Sequence, residues 1–524
     1  MFFIISHTVK EFFQRKFIAT IGLVVSSVLF ISIQTKAQPV EISYQKFTKR
    51  PKLVVTIVID QFRADYLTRF EKQFLKAGHG KGGSLAGFNE LIERGSYFPF
   101  SEYEVLQNMT CPGHAMILTG SYPVKTGISL NEYFDQATQK QKYCVEDPKD
   151  GISPRALQTS TVGDELKNVS PKSKVFTMAL KDRSAVALGG HRADMALWID
   201  SKKGAWQTSS YYGSELPTWV MEENSKIQKD IQSGQIPKMS GKEWMTWTGG
   251  VDLAFSLLKK AIVSEKLGKR GVSDIVAMSI STHDALGHKY GPNSDEMEKI
   301  TLHEDQQLSL FLNELNKLFP KLEDVVVVLT ADHGVAPEAG YLSDKKLPSG
   351  RIDQLAAIKN INKKLDQAFG SMKEPWVIAV QSFNYYLNRT KILDRGLKLS
   401  EVAKIVKSSL LEETGIADVI IGSEELNLFH SEFRNAFIPT QNGDVIIVPK
   451  PFYYETGDSR ATHMTDYNYD KMVPIVFYGG AIKKSVFINS AKVVDIAPTL
   501  SFMLGTLPPA TSQGKVLPVY NQIH

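Results

Sequence analysis

The stretch Val325–Gly334, with the sequence VVVVLTADHG, decides the fold class. Four valines and a leucine follow one another without alternation, which is typical of a strand buried on both faces of a parallel sheet. The run ends in a carboxylate beside an imidazole, Asp332-His333, and open α/β sheets bind their ligands at the carboxyl ends of such strands. The alternative interpretation is a polar turn in which Asp332 caps the next helix.

Two further apolar runs also lead into carboxylates. Lys52–Asp60 (KLVVTIVID) ends in one, and Asp274–Ser281 (DIVAMSIS) is followed by Asp284 and His288. Residues four apart share one face of a helix, so Asp284 and His288 are able to hold one metal ion together. Glu296–Leu318 has the pattern of an amphipathic crossover helix. We therefore predict an α/β fold with a mostly parallel central sheet flanked by helices.

Two motifs outside these strand ends have both a structural and a functional interpretation. Thr110 stands before a Cys-Pro pair, and proline is common in the first turn of a helix. Its hydroxyl is either a helix cap or a nucleophile in the positive field of the helix terminus. Lys181 and Arg183 follow the predicted strand Lys174–Leu180. They form either a solvated strand edge or a binding site for an anionic substrate.

The amino terminus has the composition of a targeting segment. Lys10, Arg15 and Lys16 precede the apolar run Phe17–Ile33, and a small-residue site ends at Ala37. This pattern predicts a cleaved secretory signal over residues 1–37, with an uncleaved membrane anchor as the alternative. The mature protein is then periplasmic or secreted, without membrane attachment. The formal net charge of +5 over 524 residues does not suggest a nucleic-acid partner.

The remaining 38–524 segment is predicted to form one catalytic domain. A segment of about residues 189–250 interrupts this domain. It is rich in Trp, Ser, Gly and Lys, and its apolar residues show little periodicity. We expect either an inserted cap over a site or irregular surface packing. The chain contains two cysteines, Cys111 and Cys144. In an exported protein such a pair permits a disulfide, although two buried free thiols are equally compatible with the sequence.

The polar residues near predicted element ends form one candidate set: Asp60, Thr110, Asp284, His288, Asp332, His333 and His463. Thr110 apart, these are oxygen and nitrogen donors that fit a pair of zinc ions. From about residue 52 to 504 the motifs resemble the alkaline phosphatase superfamily; they read VIDQFRADYL, NMTCPGHA, DALGH, TADHG, ATH and VVDIAPTL. More narrowly, the sequence is similar to the periplasmic PafA-type branch, in which a Thr is the nucleophile and a Lys-x-Arg pair replaces a third metal.

The resemblance implies an alkaline phosphatase that hydrolyses small phosphate monoesters through a phosphothreonine at Thr110. It implies that one zinc ion is held by Asp284, His288 and His463. It assigns the other to Asp60, Asp332, His333 and the Thr110 oxygen. It assigns substrate binding to Asn131, Lys181 and Arg183. A monomer is favoured.

Two other functions remain open at this point. One is a phosphodiesterase or nucleotide pyrophosphatase of the same superfamily, which normally lacks the Lys-x-Arg pair. The other is a non-catalytic protein that is stabilised by metal, and the hydroxyl of Thr110 argues against it because a structural site does not require a nucleophile.

Overall fold

The computed structural model describes residues 50–78, 84–425 and 431–520. The predicted signal segment, residues 1–37, lies outside these ranges. All described residues belong to one compact unit. Within this part of the chain, every helix is too short or too polar to cross a membrane.

The strands position the candidate residues. In chain order they are β1 (Leu53–Ile59), β2 (Ser96–Glu102), β3 (Glu132–Asp135), β4 (Lys140–Tyr143), β5 (Glu146–Asp147), β6 (Gly151–Ile152), β7 (Val175–Ala179), β8 (Met195–Asp200), β9 (Ala205–Gln207), β10 (Asp274–Ile280), β11 (Val325–Thr330), β12 (Gly350–Ile352), β13 (Val377–Gln381), β14 (Asn384–Leu387), β15 (Ile416–Ile421), β16 (Val445–Pro449), β17 (Tyr453–Glu455), β18 (Met472–Tyr478), β19 (Ser485–Val486) and β20 (Ala491–Lys492).

The helices fill the connections between these strands. In chain order they are α1 (Tyr66–Arg69), α2 (Phe88–Arg94), α3 (Thr110–Thr119), α4 (Pro123–Thr126), α5 (Val162–Val169), α6 (Asp182–Gly189), α7 (Thr218–Gln232), α8 (Glu243–Thr246), α9 (Gly250–Ser264), α10 (Thr282–Tyr290), α11 (Asp295–Leu318), α12 (Ala339–Asp344), α13 (Gln354–Phe369), α14 (Arg389–Asp394), α15 (Leu399–Leu411), α16 (Gly422–Glu425), α17 (Ser431–Ala436), α18 (Asn468–Lys471) and α19 (Ile496–Leu504). Short 3₁₀ turns cover Pro320–Leu322 and Val493–Asp495.

A mixed central sheet forms the main layer, and helices flank it. Its strand order is β19-β2-β18-β11-β1-β10-β7-β8-β9, with β20 beside β2. The five strands from β11 to β8 in that order are mutually parallel, whereas β18 pairs antiparallel with β11 and with β2. Every residue of β1, β10 and β11 is buried, as their unbroken apolar sequences require. The predicted fold class is confirmed.

A second, smaller sheet lies between β11 and β18 in the sequence. Strands β13, β14, β16 and β15 pair antiparallel in that order, and α13 and α15 contribute buried residues to its core. This core also includes Met109, Leu130 and Met464, the direct neighbours of three candidate site residues. The sequence patterns did not indicate that these elements form a separate sheet with its own core.

The region of residues 189–250 is more regular than its composition suggested. Met195–Asp200 is β8, which pairs in parallel with β7 as part of the central sheet, and Thr218–Gln232 is a helix of 15 residues. The interpretation of this whole region as an insertion is therefore wrong for β8. The strand was missed because six residues between two turns give too short a pattern for periodicity to reveal.

Candidate functional site

The parallel register brings the strand ends to one edge of the sheet. Ile59, the last residue of β1, pairs with Ile280 at the end of β10, and Val58 pairs with Thr330 at the end of β11. The polar residues that follow each strand therefore emerge side by side, as expected at the carboxyl edge of an open parallel sheet. This geometry brings together six of the predicted donors in two groups of three.

The first group consists of Asp284, His288 and His463, whose ligand atoms all lie within 4.8 Å of one another. Asp284 and His288 lie one turn apart on α10, and His288 Nε2 is 3.2 Å from Asp284 Oδ1. His463 comes from the loop before β18, and its ring centroid is 5.2 Å from that of His288. A helix and a distant loop thus supply one compact set of oxygen and nitrogen donors.

The second group consists of Asp60, Asp332 and His333, which are all fully buried. His333 Nε2 lies 3.5 Å from Asp60 Oδ1 and 3.4 Å from Asp332 Oδ2. The two groups adjoin, because the His333 and His463 rings stack with centroids 3.7 Å apart. Asp332 is not a helix cap, because the next helix begins at Ala339; it faces Asp60 across the strand ends.

Backbone carbonyl groups orient the three imidazoles. Nδ1 of His288 lies 2.8 Å from the Ala461 carbonyl oxygen, and Nδ1 of His463 lies 2.6 Å from that of Asn108. Nδ1 of His333 lies 2.9 Å from the carbonyl oxygen of Gly334. When Nδ1–H donates to a carbonyl, the lone pair is on Nε2, and this is the arrangement that metal-binding histidines adopt.

Burial favours the neutral form of two of these imidazoles; it also acts on His288, but there the Asp284 carboxylate outweighs it and raises the pKa above its usual value. Burial lowers the pKa of His463 well below its usual range, and the neighbouring His333 and His288 rings lower it further. Burial also lowers the pKa of His333. Neutral imidazole is the form that binds a metal ion.

The carboxylates of the second donor group also bear on whether metal ions fit this site. Asp60 Oδ1 and Asp332 Oδ2 are buried, and the polar atom nearest to Asp332 Oδ2 is His114 Nδ1 at 3.1 Å, which also lies 2.8 Å from the Thr110 carbonyl oxygen. Burial, and after it the charge of Asp332, raises the pKa of Asp60 well above its usual range. A dication beside these oxygens stabilises the ionised carboxylates and replaces their lost hydration. The two groups therefore fit divalent metal ions.

Lys181 lies between the two groups. Its ammonium donates to Asp60 Oδ2 at 2.6 Å and to Asp284 Oδ2 at 2.5 Å, and only 9% of its side chain is exposed. Although burial raises the pKa of Asp284, the Lys181 charge lowers it well below its usual range. Three buried carboxylates, two of which accept from Lys181, therefore face only two cations, Lys181 and Arg183. The third carboxylate is Asp332. The excess negative charge is again what bound dications neutralise.

Thr110 is the first residue of α3, and its side chain does not cap that helix. Met109 holds the extended position before the helix, and the Thr110 hydroxyl lies 3.4 Å from His333 Nε2, beside the second donor group. The helix approaches this group closely because of Gly113, where an added Cβ would stand 2.3 Å from the Asp332 carbonyl oxygen. The hydroxyl is thus held at a helix N-terminus, in a field that favours anions.

The predicted substrate-binding residues flank this helix start. The Asn131 Oδ1 accepts a hydrogen bond from the Cys111 backbone N–H at 2.7 Å. Cys111 and Cys144 form a disulfide, which settles the alternative left open by the sequence. Arg183, in the first turn of α6, donates from Nη1 to the Tyr143 hydroxyl at 3.4 Å, and its buried Nε has no hydrogen-bond partner among the described residues.

Two residues at the site were not assigned a role from the sequence. Gln61 donates from its side chain to Asp284 Oδ1 at 2.6 Å and from its backbone to Asp332 Oδ1 at 3.0 Å, so it joins the two groups. It does so with a positive φ of 70°, which is uncommon outside glycine. Tyr143 donates to Asp182 Oδ1 at 2.6 Å. The only available signal for Gln61 was its position directly after Asp60.

Comparison with known proteins places this geometry in a family. The chain is 29% identical to the alkaline phosphatase PafA of Elizabethkingia meningoseptica over 89% of its length and 94% of that protein. It is also 29% identical to the alkaline phosphatase PhoV of Synechococcus elongatus, over 92% of this chain and 95% of the other. The crystal structure of PafA matches with a TM-score of 0.82 at 28% identity, over 90% of this chain and 99% of that one.

The family model of the type I phosphodiesterases / nucleotide pyrophosphatases matches residues 54–470, which contain both donor groups, Thr110 and the Lys-x-Arg pair. The resemblance inferred from the sequence motifs is thereby confirmed. The chain belongs to the type I phosphodiesterase / nucleotide pyrophosphatase family, and within that family it is similar to PafA-type alkaline phosphatases.

Proposed function

We propose that this protein is an alkaline phosphatase that hydrolyses small phosphate monoesters, with two zinc ions and with Thr110 as the nucleophile. The observation that carries the proposal is the convergence of a buried threonine hydroxyl, two adjoining groups of metal donors and the Lys181–Arg183 pair. The similarity to PafA and PhoV along most of their lengths supports the same activity.

The donor sets suit zinc, because imidazole nitrogen and carboxylate oxygen are its usual ligands in hydrolytic sites. Asp284, His288 and His463 would hold one ion, and Asp60, Asp332 and His333 would hold the other together with the Thr110 oxygen. Bound zinc supplies a Lewis acid that activates a hydroxyl and stabilises a departing oxyanion.

Thr110 carries the covalent step. Its Oγ1 loses a proton to solvent and attacks phosphorus while the bond from phosphorus to the leaving-group oxygen breaks, so that a phosphothreonine forms. The departing alkoxide takes a proton from solvent. Water then attacks the same phosphorus, one of its protons passes to Oγ1 as the bond from phosphorus to Oγ1 breaks, and inorganic phosphate leaves. The helix N-terminus at Thr110 favours the negative charge of the phosphoryl group throughout.

Asn131, Lys181 and Arg183 determine the ester class in this proposal. A monoester presents about two negative charges and three non-bridging oxygens, whereas a diester presents one charge and two oxygens. Two cations and an amide match the monoester, and they occupy space that a second ester group requires. The family model also describes phosphodiesterases, so diester hydrolysis is the alternative that the experiment has to separate.

Arg183→Ala is the informative variant. Lys181 is less suitable, because its ion pairs with Asp60 and Asp284 mean that its removal also disturbs the metal groups. We expect Arg183→Ala to lower kcat/KM for p-nitrophenyl phosphate on the order of 10²-fold, the usual effect of losing one donor to a developing oxyanion. The loss for bis(p-nitrophenyl) phosphate should be at least about tenfold smaller.

The matched control is Arg192→Ala, which removes an exposed arginine that contacts Asn168. It should leave both activities unchanged, and the zinc content of both variants should equal that of the wild type. Equal losses of monoester and diester activity in Arg183→Ala would mean that Arg183 supports the site in general. A wild-type preference for the diester would overturn the monoesterase proposal itself.

We also propose that the protein is exported and that residues 1–37 are removed. The basic residues before the apolar run support this proposal, and so does the disulfide, since such bonds persist mainly in oxidising compartments. The monomeric state stays a prediction.

A further inference from the structure

A cavity of about 920 Å³ opens beside the first donor group. Asp284 and His288 of that group line it, together with Lys181 and Arg183. Among the described residues, neither Thr110 nor any member of the second donor group belongs to its lining. The cavity therefore adjoins the site on one side only.

Under the proposed function, the leaving group lies on that same side. In an in-line displacement the nucleophile and the leaving-group oxygen stand on opposite sides of phosphorus. The Thr110 hydroxyl is next to His333 of the second group, so the leaving-group oxygen faces Asp284 and His288 of the first. The rest of the leaving group then extends into the cavity.

The walls of the cavity combine an apolar surface with a cationic rim. Leu180, Trp198, Ile199 and Met245 supply apolar lining. A rim of exposed lysines, which we call the lysine rim, consists of Lys202, Lys242 and Lys289. Within the described part of the chain, none of their ammonium groups forms an ion pair with a carboxylate.

The acidic residues of the lining offset this rim only in part. Asp182 accepts a hydrogen bond from Tyr143, and Asp200 accepts backbone hydrogen bonds from its own turn and pairs with Lys203 at 3.4 Å. Asp458 is the exposed carboxylate that remains. The lining therefore carries five cationic side chains against four carboxylates, and Lys203 offsets Asp200 from outside it, so an excess of positive charge remains.

From these contacts we infer that the cavity is a leaving-group subsite that favours monoesters whose leaving group carries a second anionic group, a carboxylate or a further phosphate, on an apolar or ring-shaped body. The inference rests on the proposed function and refines its substrate class. Monoesters of neutral alcohols are still hydrolysed, because the bond-breaking step depends on residues outside the lysine rim. Such substrates lack only the attraction between the lysine rim and an anionic group at the far end of the leaving group.

The test compares two substrates that differ by one charge, phenyl phosphate and 4-carboxyphenyl phosphate. The variant is Lys202→Ala/Lys242→Ala/Lys289→Ala. Exposed ion pairs each contribute roughly a two- to fivefold effect, so the triple variant should lower kcat/KM for the carboxylated substrate about tenfold more than for phenyl phosphate. Dividing the substrate ratio of the variant by that of the wild type cancels the different intrinsic reactivities of the two substrates.

The control removes the same number of charges elsewhere. Lys359, Lys363 and Lys404 are exposed lysines on α13 and α15, away from the cavity lining. Their triple alanine variant has the same net charge as the test variant and should keep the wild-type substrate ratio. Raising the ionic strength should reduce the wild-type preference for the carboxylated substrate and leave the ratio of the test variant nearly constant.

Each outcome separates the inference from the proposed function. If the wild type hydrolyses both substrates but the test variant keeps the wild-type ratio, the subsite is refuted and the phosphatase proposal stands. If the control variant changes the ratio as much as the test variant, long-range charge explains the preference and the subsite is again refuted. If the wild type hydrolyses neither monoester, the proposed function fails first.

Discussion

Breaking the disulfide between Cys111 and Cys144 should weaken both the fold and phosphate binding while leaving the metal groups filled. Cys111 directly follows Thr110, and the backbone N–H of Cys144 donates to the Asn131 carbonyl oxygen at 3.0 Å. The loop closed by the bond therefore contains Asn131. It contains none of the six carboxylate and imidazole donors.

The expected loss of stability follows from the length of this loop. The two cysteines are 33 residues apart, and the chain-entropy model gives about 3.7 kcal/mol for a loop of that length. Typical domains are stable by about 5–15 kcal/mol, so the loss is large but does not by itself unfold the protein. The loss of activity should be about tenfold, less than the 10²–10³ for full removal of an oxyanion donor, because Asn131 is displaced and not deleted.

Urea denaturation and p-nitrophenyl phosphate kinetics measure the two effects together. A phosphine reductant is preferable to a dithiol, because thiols bind zinc themselves. The reduced wild type and the Cys111→Ser/Cys144→Ser variant should unfold at the same lowered urea concentration, with unchanged zinc content, and the variant should not respond to the reductant. An unchanged midpoint after full reduction, or loss of zinc in proportion to loss of activity, would refute this reasoning.

Two other predictions concern the nucleophile and the metal. Thr110→Ala should abolish turnover with zinc still bound. Thr110→Ser should retain activity within about tenfold, because the hydroxyl survives. Mass spectrometry of quenched enzyme should find the phosphoryl group on residue 110 and on no other. His463→Ala should lower the zinc content from about two to about one per chain and reduce activity by at least about 10³-fold, since the second donor group remains complete. Full activity without metal would contradict this second prediction.

The donor groups were predictable because they depend on local sequence and on one rule of topology. Unbroken apolar runs identify the strands β1, β10 and β11, and a parallel sheet brings their carboxyl ends to one edge. Asp60, Asp284 and Asp332 follow from that rule alone. His463 does not, since a loop before the antiparallel strand β18 brings it to the site, and it entered the candidate set only by its place near a predicted element end.

The features that the sequence did not reveal depend on packing between distant segments. The four-stranded sheet of β13 to β16 has short strands whose register is set by their mutual pairing. Gln61 joins the two donor groups only because its backbone adopts a positive φ that the surrounding structure imposes. The bond from Tyr143 to Asp182 likewise requires a hairpin and a helix start to meet, and no sequence spacing encodes that encounter.

The candidate metal donors and the candidate substrate-binding residues come from different segments of the chain. The rigid edge of the central sheet supplies most of the metal donors, whereas the segment around the β3–β4 hairpin and the start of α6 supplies Asn131, Tyr143 and Arg183. Under the proposed function, substitutions in these flanking segments would change which ester fits without altering a candidate metal donor. This is compatible with a phosphodiesterase family model that matches a chain similar to alkaline phosphatases. The ester class of a member should therefore be judged from these flanking residues and not from the metal donors.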